Sequence, residues 1–207
     1  MKQEEVSKHF DLIASDYDRY KQNHGYYHNA LKRGLKSLIK PEASILDWGC
    51  GTGDILAFLK PSYGVGFDIS SEMVKLAERK FKKARNLSFV DSQNQISGVF
   101  NYIVMVDVIE HLTNPQETFK DLSRFASKST RIVVCFVGPL WSPIIWILGL
   151  LKPKTPEGPH KRIDKNEVMK YFRAAGFRLL EDQSFRIFPW LPISPISVLV
   201  VEKKYPE

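Results

Sequence analysis

The stretch Ile45-Leu46-Asp47-Trp48-Gly49-Cys50-Gly51-Thr52-Gly53, with Asp68 near the end of the later run Val65-Gly66-Phe67-Asp68-Ile69, decides the reading of this chain. An apolar run ends in an acid, then in a glycine-rich turn, then in a segment that reads as a helix. This order is how an α/β domain holds a nucleoside-bearing cofactor at the carboxyl end of its first strand. Glycines let the backbone turn sharply and approach a ligand closely. A carboxylate ending the second strand can accept hydrogen bonds from ribose hydroxyls. Asp68 follows Gly51 by 17 residues, near the ~20-residue offset expected of that acid.

The dinucleotide fingerprint G-x-G-x-x-G sets a pyrophosphate over a helix N-terminus. Here the pattern is Gly49-x-Gly51-x-Gly53, preceded by Asp47 and followed by Asp54. Carboxylates on both sides of the loop suit a pyrophosphate poorly. They suit a ligand carrying an ammonium and a sulfonium. With the spaced acid, the block resembles that of the class I S-adenosylmethionine-dependent methyltransferases. A tight strand–helix turn in a sugar- or phosphate-binding domain is the competing reading.

The resemblance covers most of the chain. His9 to Asp18, HFDLIASDYD, looks like the F-D-x-x-A-x-x-Y-D opening of the family's small-molecule, ubiquinone- and menaquinone-pathway branch. Phe89-Val90-Asp91-Ser92 looks like the third-strand end that reads the adenine edge. Tyr102 to Pro115 looks like the fourth strand and its E-H-L turn, and Lys165 to Phe177 like the last helix with its A-G-F ending.

Periodicity and turn signals predict helices over 4–20 and 26–39, then an alternation. Strands fall at 44–48, 63–68, 87–91, 100–106 and 131–137; helices fall at 53–59, 71–84, about 115–127 and about 165–175. Asn114, Pro115 and Glu117 form a helix start, as do Asp164 and Glu167, while Gly176 is a stop. Two β-rich stretches, 178–187 and 196–203, lie close enough to pair antiparallel. Repeated βα units ending in a hairpin give an α/β three-layer sandwich with a mostly parallel sheet. The resemblance adds a Rossmann-like sheet of seven strands in the order 3-2-1-4-5-7-6, with strand seven antiparallel.

Composition fits a single globular domain over the 207 residues, with a helical N-terminal cap over 1–40 and an apolar cover over 138–160. Cys50 and Cys135 have neither metal nor disulfide spacing, which points to a reducing, cytoplasmic setting. The N-terminus lacks a signal-peptide pattern. Ile132 to Leu151 is a run of 20 residues without a charge, bounded by Arg131 and Lys152. Its length would span a bilayer, but Pro139 and Pro143 interrupt it and its first part is β-branched. A buried strand followed by a short apolar element explains it better. The net charge is +7. Basic residues flanking the apolar element can seat on an anionic membrane, meet an acidic substrate, or be ordinary solvated surface.

The resemblance assigns roles around a bound S-adenosylmethionine. Gly49, Gly51 and Gly53 form the loop, and Asp47 lies near the cofactor's ammonium. Asp68 takes the ribose diol and Ile69 packs on the adenine. Asp91 accepts from the exocyclic amine, and Ser92 supplies a backbone donor to the ring. Asp107 faces the methionine end, and Tyr17 is a lid. Methyl transfer from a sulfonium mainly needs alignment and exclusion of water, so cofactor residues are more legible than catalytic ones.

Asp107, Glu110 and His111 have i, i+3, i+4 spacing, so a helical turn would bring them together. Glu110 and His111 then fix the loop by hydrogen bonds, or His111 acts as a general base, or the three hold a divalent ion. His160, before the last helix, is either substrate-facing or a surface-loop residue. Residues 139–151 are apolar on every face, so they are buried or touch something apolar. The expected function is methyl transfer to a small, hydrophobic or lipid-like acceptor, with peripheral membrane contact. The alternatives are a nucleic-acid methyltransferase, disfavoured because no N-P-P-Y-type tetrapeptide follows the fourth strand, and a non-catalytic cofactor-binding protein.

Overall fold

The computed structural model describes residues 2–138, 158–187 and 194–204. Two helices, α1 (Gln3–Asn23) and α2 (Gly25–Leu38), precede the alternation. Then follow β1 (Ser44–Trp48), α3 (Asp54–Leu59), β2 (Tyr63–Phe67), α4 (Ser71–Lys80) and β3 (Leu87–Val90). The second half has β4 (Phe100–Val106), α5 (Pro115–Leu122), β5 (Ala126–Val137), α6 (Lys165–Ala174), β6 (Phe177–Phe185) and β7 (Ile196–Lys203). The seven strands lie in the order β3-β2-β1-β4-β5-β7-β6. β7 runs antiparallel to both β5 and β6, and the other pairs are parallel. This is the expected Rossmann-like three-layer α/β sandwich.

Side chains alternate across each strand, and both faces of the sheet are buried, so the central strands are near-continuous apolar runs. Leu46 and Trp48 of β1, Ile103 and Met105 of β4, and Ile132 and Val134 of β5 pack with Phe119 of α5 and Phe172 of α6. Ile45, Tyr102, Val104, Val133 and Cys135 pack on the opposite face with Leu31 and Leu35 of α2, Leu56 of α3 and Val74 of α4. The alternation puts Asp47 on the face of α2 and α3, at the carboxyl edge of the sheet.

Three boundaries differ from the sequence expectation by four or five residues. Helix α4 stops at Lys80 rather than 84, because Phe81 leaves the helix and its ring lies 5.9 Å from that of Phe89 on β3. Helix α5 ends at Leu122 and gives way to a 3₁₀ turn, Ser123–Phe125, rather than continuing to 127. Strand β5 begins at Ala126, five residues before Arg131. Its polar start is held by Thr130, whose hydroxyl donates to Phe100 O at 2.6 Å and accepts from Ser127 N at 2.8 Å. Of the charge-free run, Ile132–Val137 lies in β5 as expected. The apolar cover falls mostly on residues 139–157, outside the described residues. No described helix is long and apolar enough to cross a membrane.

Phe119 and Phe172 stack with ring centroids 4.1 Å apart, and both are fully buried. Phe172→Ala is expected to cost about 3–5 kcal/mol with an unchanged denaturant slope, as read from urea unfolding.

Candidate active site

The carboxyl ends of β1, β2 and β4 meet at one edge of the sheet. There the amides of Gly49 and Cys50 both donate to Phe67 O, at 2.7 and 3.0 Å. This pulls the loop after β1 onto the end of β2. Asp68 completes the join. Its Oδ2 accepts from Gly51 N at 2.8 Å, and its Oδ1 from Ser70 N at 2.9 Å. Burial raises the Asp68 carboxyl above its ordinary range, and these two backbone donors oppose the rise.

Gly49, Gly51 and Gly53 have φ of 81°, 51° and 79°. L-residues with side chains rarely adopt that region. A Cβ on Gly49 would stand 2.3 Å from a Val108 methyl, and one on Gly51 would stand 3.2 Å from the Tyr17 ring. Gly53 is the N-cap of α3.

Helix α1 lies across this edge and gives the opening motif its physical meaning. Ser7 Oγ donates to Ile69 O at 2.9 Å. Asp11 Oδ1 accepts from Ser70 Oγ at 2.6 Å and from Glu72 N at 3.2 Å, so it reinforces the N-terminus of α4. Ala14 is buried, and its small side chain lets the helix approach. Tyr17 covers Gly51. Asp18 accepts from Thr52 Oγ1 and from Lys80 Nζ, both at 2.6 Å. Lys80 also reaches Asp54 at 2.6 Å.

Two cavities flank the loop. One, of about 90 Å³, is lined largely by apolar groups, among them Val6, Phe10, Met73, Val108 and Leu112, together with Asp68, Ile69 and His111. The other, of about 390 Å³, is polar, with Lys21, His28, Lys32, Asp47, Asp54 and Lys80 on its walls. Tyr17, Gly49, Gly51 and Asp107 border both.

Asp47 is 2% exposed, and its Oδ2 has no hydrogen-bond partner among the described residues. Burial pushes its pKa up to about 7, opposed by Lys21 and raised further by Asp68. Burial likewise raises Asp107 to about 6, opposed by the hydrogen bond from Tyr27 and by Lys21. Lys21 lies 4.6 Å above the Tyr17 ring and 3.7 Å from Asp54. Burial and the nearby Lys21 and Lys32 push His28 down to about 4, so it is neutral at pH 7. A buried carboxyl with one oxygen unpartnered, beside the partly buried Lys21, fits a zwitterionic amino-acid group, and the glycine cradle fits the backbone-close approach of a nucleoside.

The expected residues do not all gather here. Asp91 is exposed, and Ser92 caps a 3₁₀ turn, Gln93–Gln95; neither lines either of these two cavities. Asp107, Glu110 and His111 do not share one helical turn. Asp107 has φ 53°, and only Ile109–His111 form a 3₁₀ turn. Among the described residues no group of three or more His, Cys, Asp or Glu is placed to hold a metal ion. Instead the turn is tied to the segment before α6. Lys161 N donates to Glu110 O at 2.8 Å, and His111 Nδ1 lies 2.8 Å from Pro159 O. A carbonyl oxygen only accepts, so Nδ1 carries the proton, and in the neutral ring Nε2 is then the acceptor nitrogen. His160 is bound in the same way to Gly158 O at 3.0 Å, with its ring 6.3 Å from that of His111. The sequence reading gave no role to Lys21 or Tyr27, and Asp11 entered it only as part of the opening motif. Helical spacing from Ser7 through Asp11, Ala14, Asp18 and Lys21 is the signal that marks most of them.

A model of the methyltransferase domain family matches residues 18–182. A demethylmenaquinone methyltransferase of Staphylococcus carnosus (strain TM300) is 24% identical, over 88% of this chain and 88% of its own length. A protein of Methanocaldococcus jannaschii is 28% identical over 60% of this chain, and the match spans 59% of that relative. The structure of magnesium protoporphyrin IX methyltransferase from Synechocystis PCC 6803 with bound S-adenosylhomocysteine superposes with a TM-score of 0.69. Its identity is 18%, with 98% of this chain and 100% of that one covered. The chain belongs to the methyltransferase domain family. Within it, the chain is of class I, with S-adenosylmethionine as cofactor.

Between the ordinary carboxylate pKa near ~4 and the raised value near 7, folded Asp47 binds more protons than the unfolded chain does. Stability of the ligand-free protein therefore falls as pH rises through that window. Asp47→Asn is expected to flatten the fall and to leave the protein more stable than wild type at pH 8, though not at pH 4, in urea unfolding at both values.

Proposed function

We propose that the protein transfers a methyl group from S-adenosylmethionine to a small, hydrophobic or lipid-like acceptor. The observation that carries this reading is the joined loop and acid, Gly49–Gly53 with Asp68, beside the buried carboxyl of Asp47. In this reading Asp68 offers its remaining lone pairs to the ribose diol, Ile69 lies against the adenine, and Gly49 and Gly51 present backbone. Asp47 and Asp107 face the ammonium. Lys21 faces the carboxylate of the same amino-acid end. Asp91 and Ser92 contribute less, since neither reaches a cavity wall.

S-adenosylmethionine supplies a methyl on a positively charged sulfur, which leaves as a neutral thioether. The protein then has to align the acceptor atom and keep water out. Tyr17 and α1 cover the loop for that purpose. His111 borders the apolar cavity with its Nε2 lone pair set by the Pro159 hydrogen bond, and it serves as general base where the acceptor must lose a proton. Glu110 and His160 hold the segment that carries it. The apolar lining beside His111 and the charge-free run through Leu151 support a hydrophobic acceptor and peripheral membrane contact.

Labelled S-adenosylmethionine incubated with a lipid extract should yield label in an organic-soluble fraction; label confined to polar metabolites or nucleic acid would overturn the acceptor class. His111→Gln is expected to lower kcat about 10²–10⁴-fold while leaving cofactor affinity unchanged. Asp68→Ala is expected to weaken S-adenosylhomocysteine binding by about 1.5–3 kcal/mol, and more than Asp91→Ala does, as read by calorimetry. The reverse order would misplace the ribose.

A further inference from the structure

The second helix supplies one side chain to the cofactor edge that neither the opening motif nor the glycine loop accounts for. Tyr27 of α2 donates its hydroxyl to Asp107 Oδ1 at 2.6 Å. We propose that Tyr27 is a positioning residue for the amino-acid end of the cofactor, acting through Asp107. The proposal rests on the reading of this edge as the S-adenosylmethionine site.

Asp107 directly follows β4 and leaves the strand with φ 53°, a left-handed conformation that Asp tolerates better than most side chains. Its amide donates to Cys135 O at 3.0 Å, which fixes the backbone to β5. The Tyr27 hydroxyl fixes the side chain to α2. The residue is therefore held at its backbone by β5 and at one carboxylate oxygen by α2. No hydrogen bond among the described residues engages Oδ2. Asp107 borders both cavities, as Gly49 and Gly51 do, so a ligand running from one cavity to the other passes it.

A carboxylate at such a crossing can hold an ammonium only if it is correctly turned and ionised. One hydroxyl serves both needs. The Tyr27 ring packs with the α2 face of the core, so the donor arrives from a fixed direction. Burial and the neighbouring Asp107 push the phenol well above its ordinary pKa, so the O–H remains a donor at physiological pH. Donation to the charged form favours it. The titratable groups that interact with Asp107 besides Tyr27 are Tyr17 and Lys21 from α1 and Cys135 from β5, and Glu110 faces Tyr27. Asp68 and His111 share the smaller cavity with it, and Asp18, His28, Lys32, Asp47, Asp54 and Lys80 the larger one. Of the groups that interact with it only Lys21 is a cation, and it is shared with Asp54. The Tyr27 hydroxyl is thus the one neutral donor seated on Asp107 among the described residues.

The test compares two ligands by calorimetry: S-adenosylhomocysteine, which has the amino-acid end, and 5′-methylthioadenosine, which lacks it. Tyr27→Phe keeps the ring and removes the donor. It is expected to weaken S-adenosylhomocysteine about tenfold, as for loss of a hydrogen bond to a charged group, and to change 5′-methylthioadenosine less than about twofold. Without the donor the Asp107 carboxyl protonates more readily. The pH below which S-adenosylhomocysteine affinity declines should therefore move upward in Tyr27→Phe. In an Asp107→Asn background, Tyr27→Phe should add no further loss. Equal weakening of both ligands would reduce Tyr27 to a packing residue and overturn the proposal, as would unchanged affinity for both. If Tyr27→Phe does not fold, Asp107→Asn decides, because wild-type affinity for S-adenosylhomocysteine in that variant overturns the proposal. Failure of the wild-type protein to bind either ligand would overturn the cofactor reading itself.

Discussion

One join holds the site together. The amides of Gly49 and Cys50 share the Phe67 carbonyl, and the amide of Gly51 meets the Asp68 carboxylate. Through these bonds the loop after β1 takes its shape from the end of β2, its neighbour in the sheet. The positive φ values of Gly49 and Gly51 lie within this turn, where their amides reach those two acceptors. Val108 and Tyr17 can then lie close over the loop, since Gly49 and Gly51 carry no side chain to displace them. Loosening that join would also release α4, because Asp68 holds Ser70, the cap of α4, as well as Gly51.

Helix α1 adds a second level of organisation through one face. Ser7, Asp11 and Asp18 bind the backbone or hydroxyl groups of Ile69, Ser70, Glu72 and Thr52. The Asp18–Lys80–Asp54 pairs are partly exposed, and pairs of that kind contribute little by themselves. Their value is geometric: they set the helix over the loop and place Lys21 inside the polar cavity. Asp47 and Asp107 are held at the same edge with raised pKa values and too few internal cations. The fold therefore carries unfavourable buried charge at this edge, which the cationic groups of the cofactor offset in the proposed reading. A site that binds an ammonium and a sulfonium is expected to be strained in this sense when empty.

Most of the architecture could be read from residue order. The β1 block, the position of Asp68, the helix starts at Asn114 and Asp164, and the closing pair of strands all gave the right elements, while the strand order came from the family resemblance. Local signals sufficed for the elements because the central strands are buried on both faces and α4, α5 and α6 carry side-chain caps. Boundaries were lost where a tertiary contact overruled a local preference. Phe81 leaves α4 for Phe89. Thr130 turns the polar segment before Arg131 into strand by binding Phe100 O.

The sequence by itself determined the fold class, the cofactor and the glycine–acid constellation, since these depend on residue types at short, fixed separations. Only the tertiary structure decided which of the other candidates share a cavity. It kept Asp107 off the turn of Glu110 and His111 through one left-handed residue while leaving Asp107 and His111 on the wall of one cavity, and it left Asp91 exposed. It fixed His111 against Pro159, 48 residues away, and Tyr27 against Asp107, 80 residues away. Contacts of that span are set by how helices seat on the sheet. No local pattern encodes the distance between two side chains that meet only after the layers have packed.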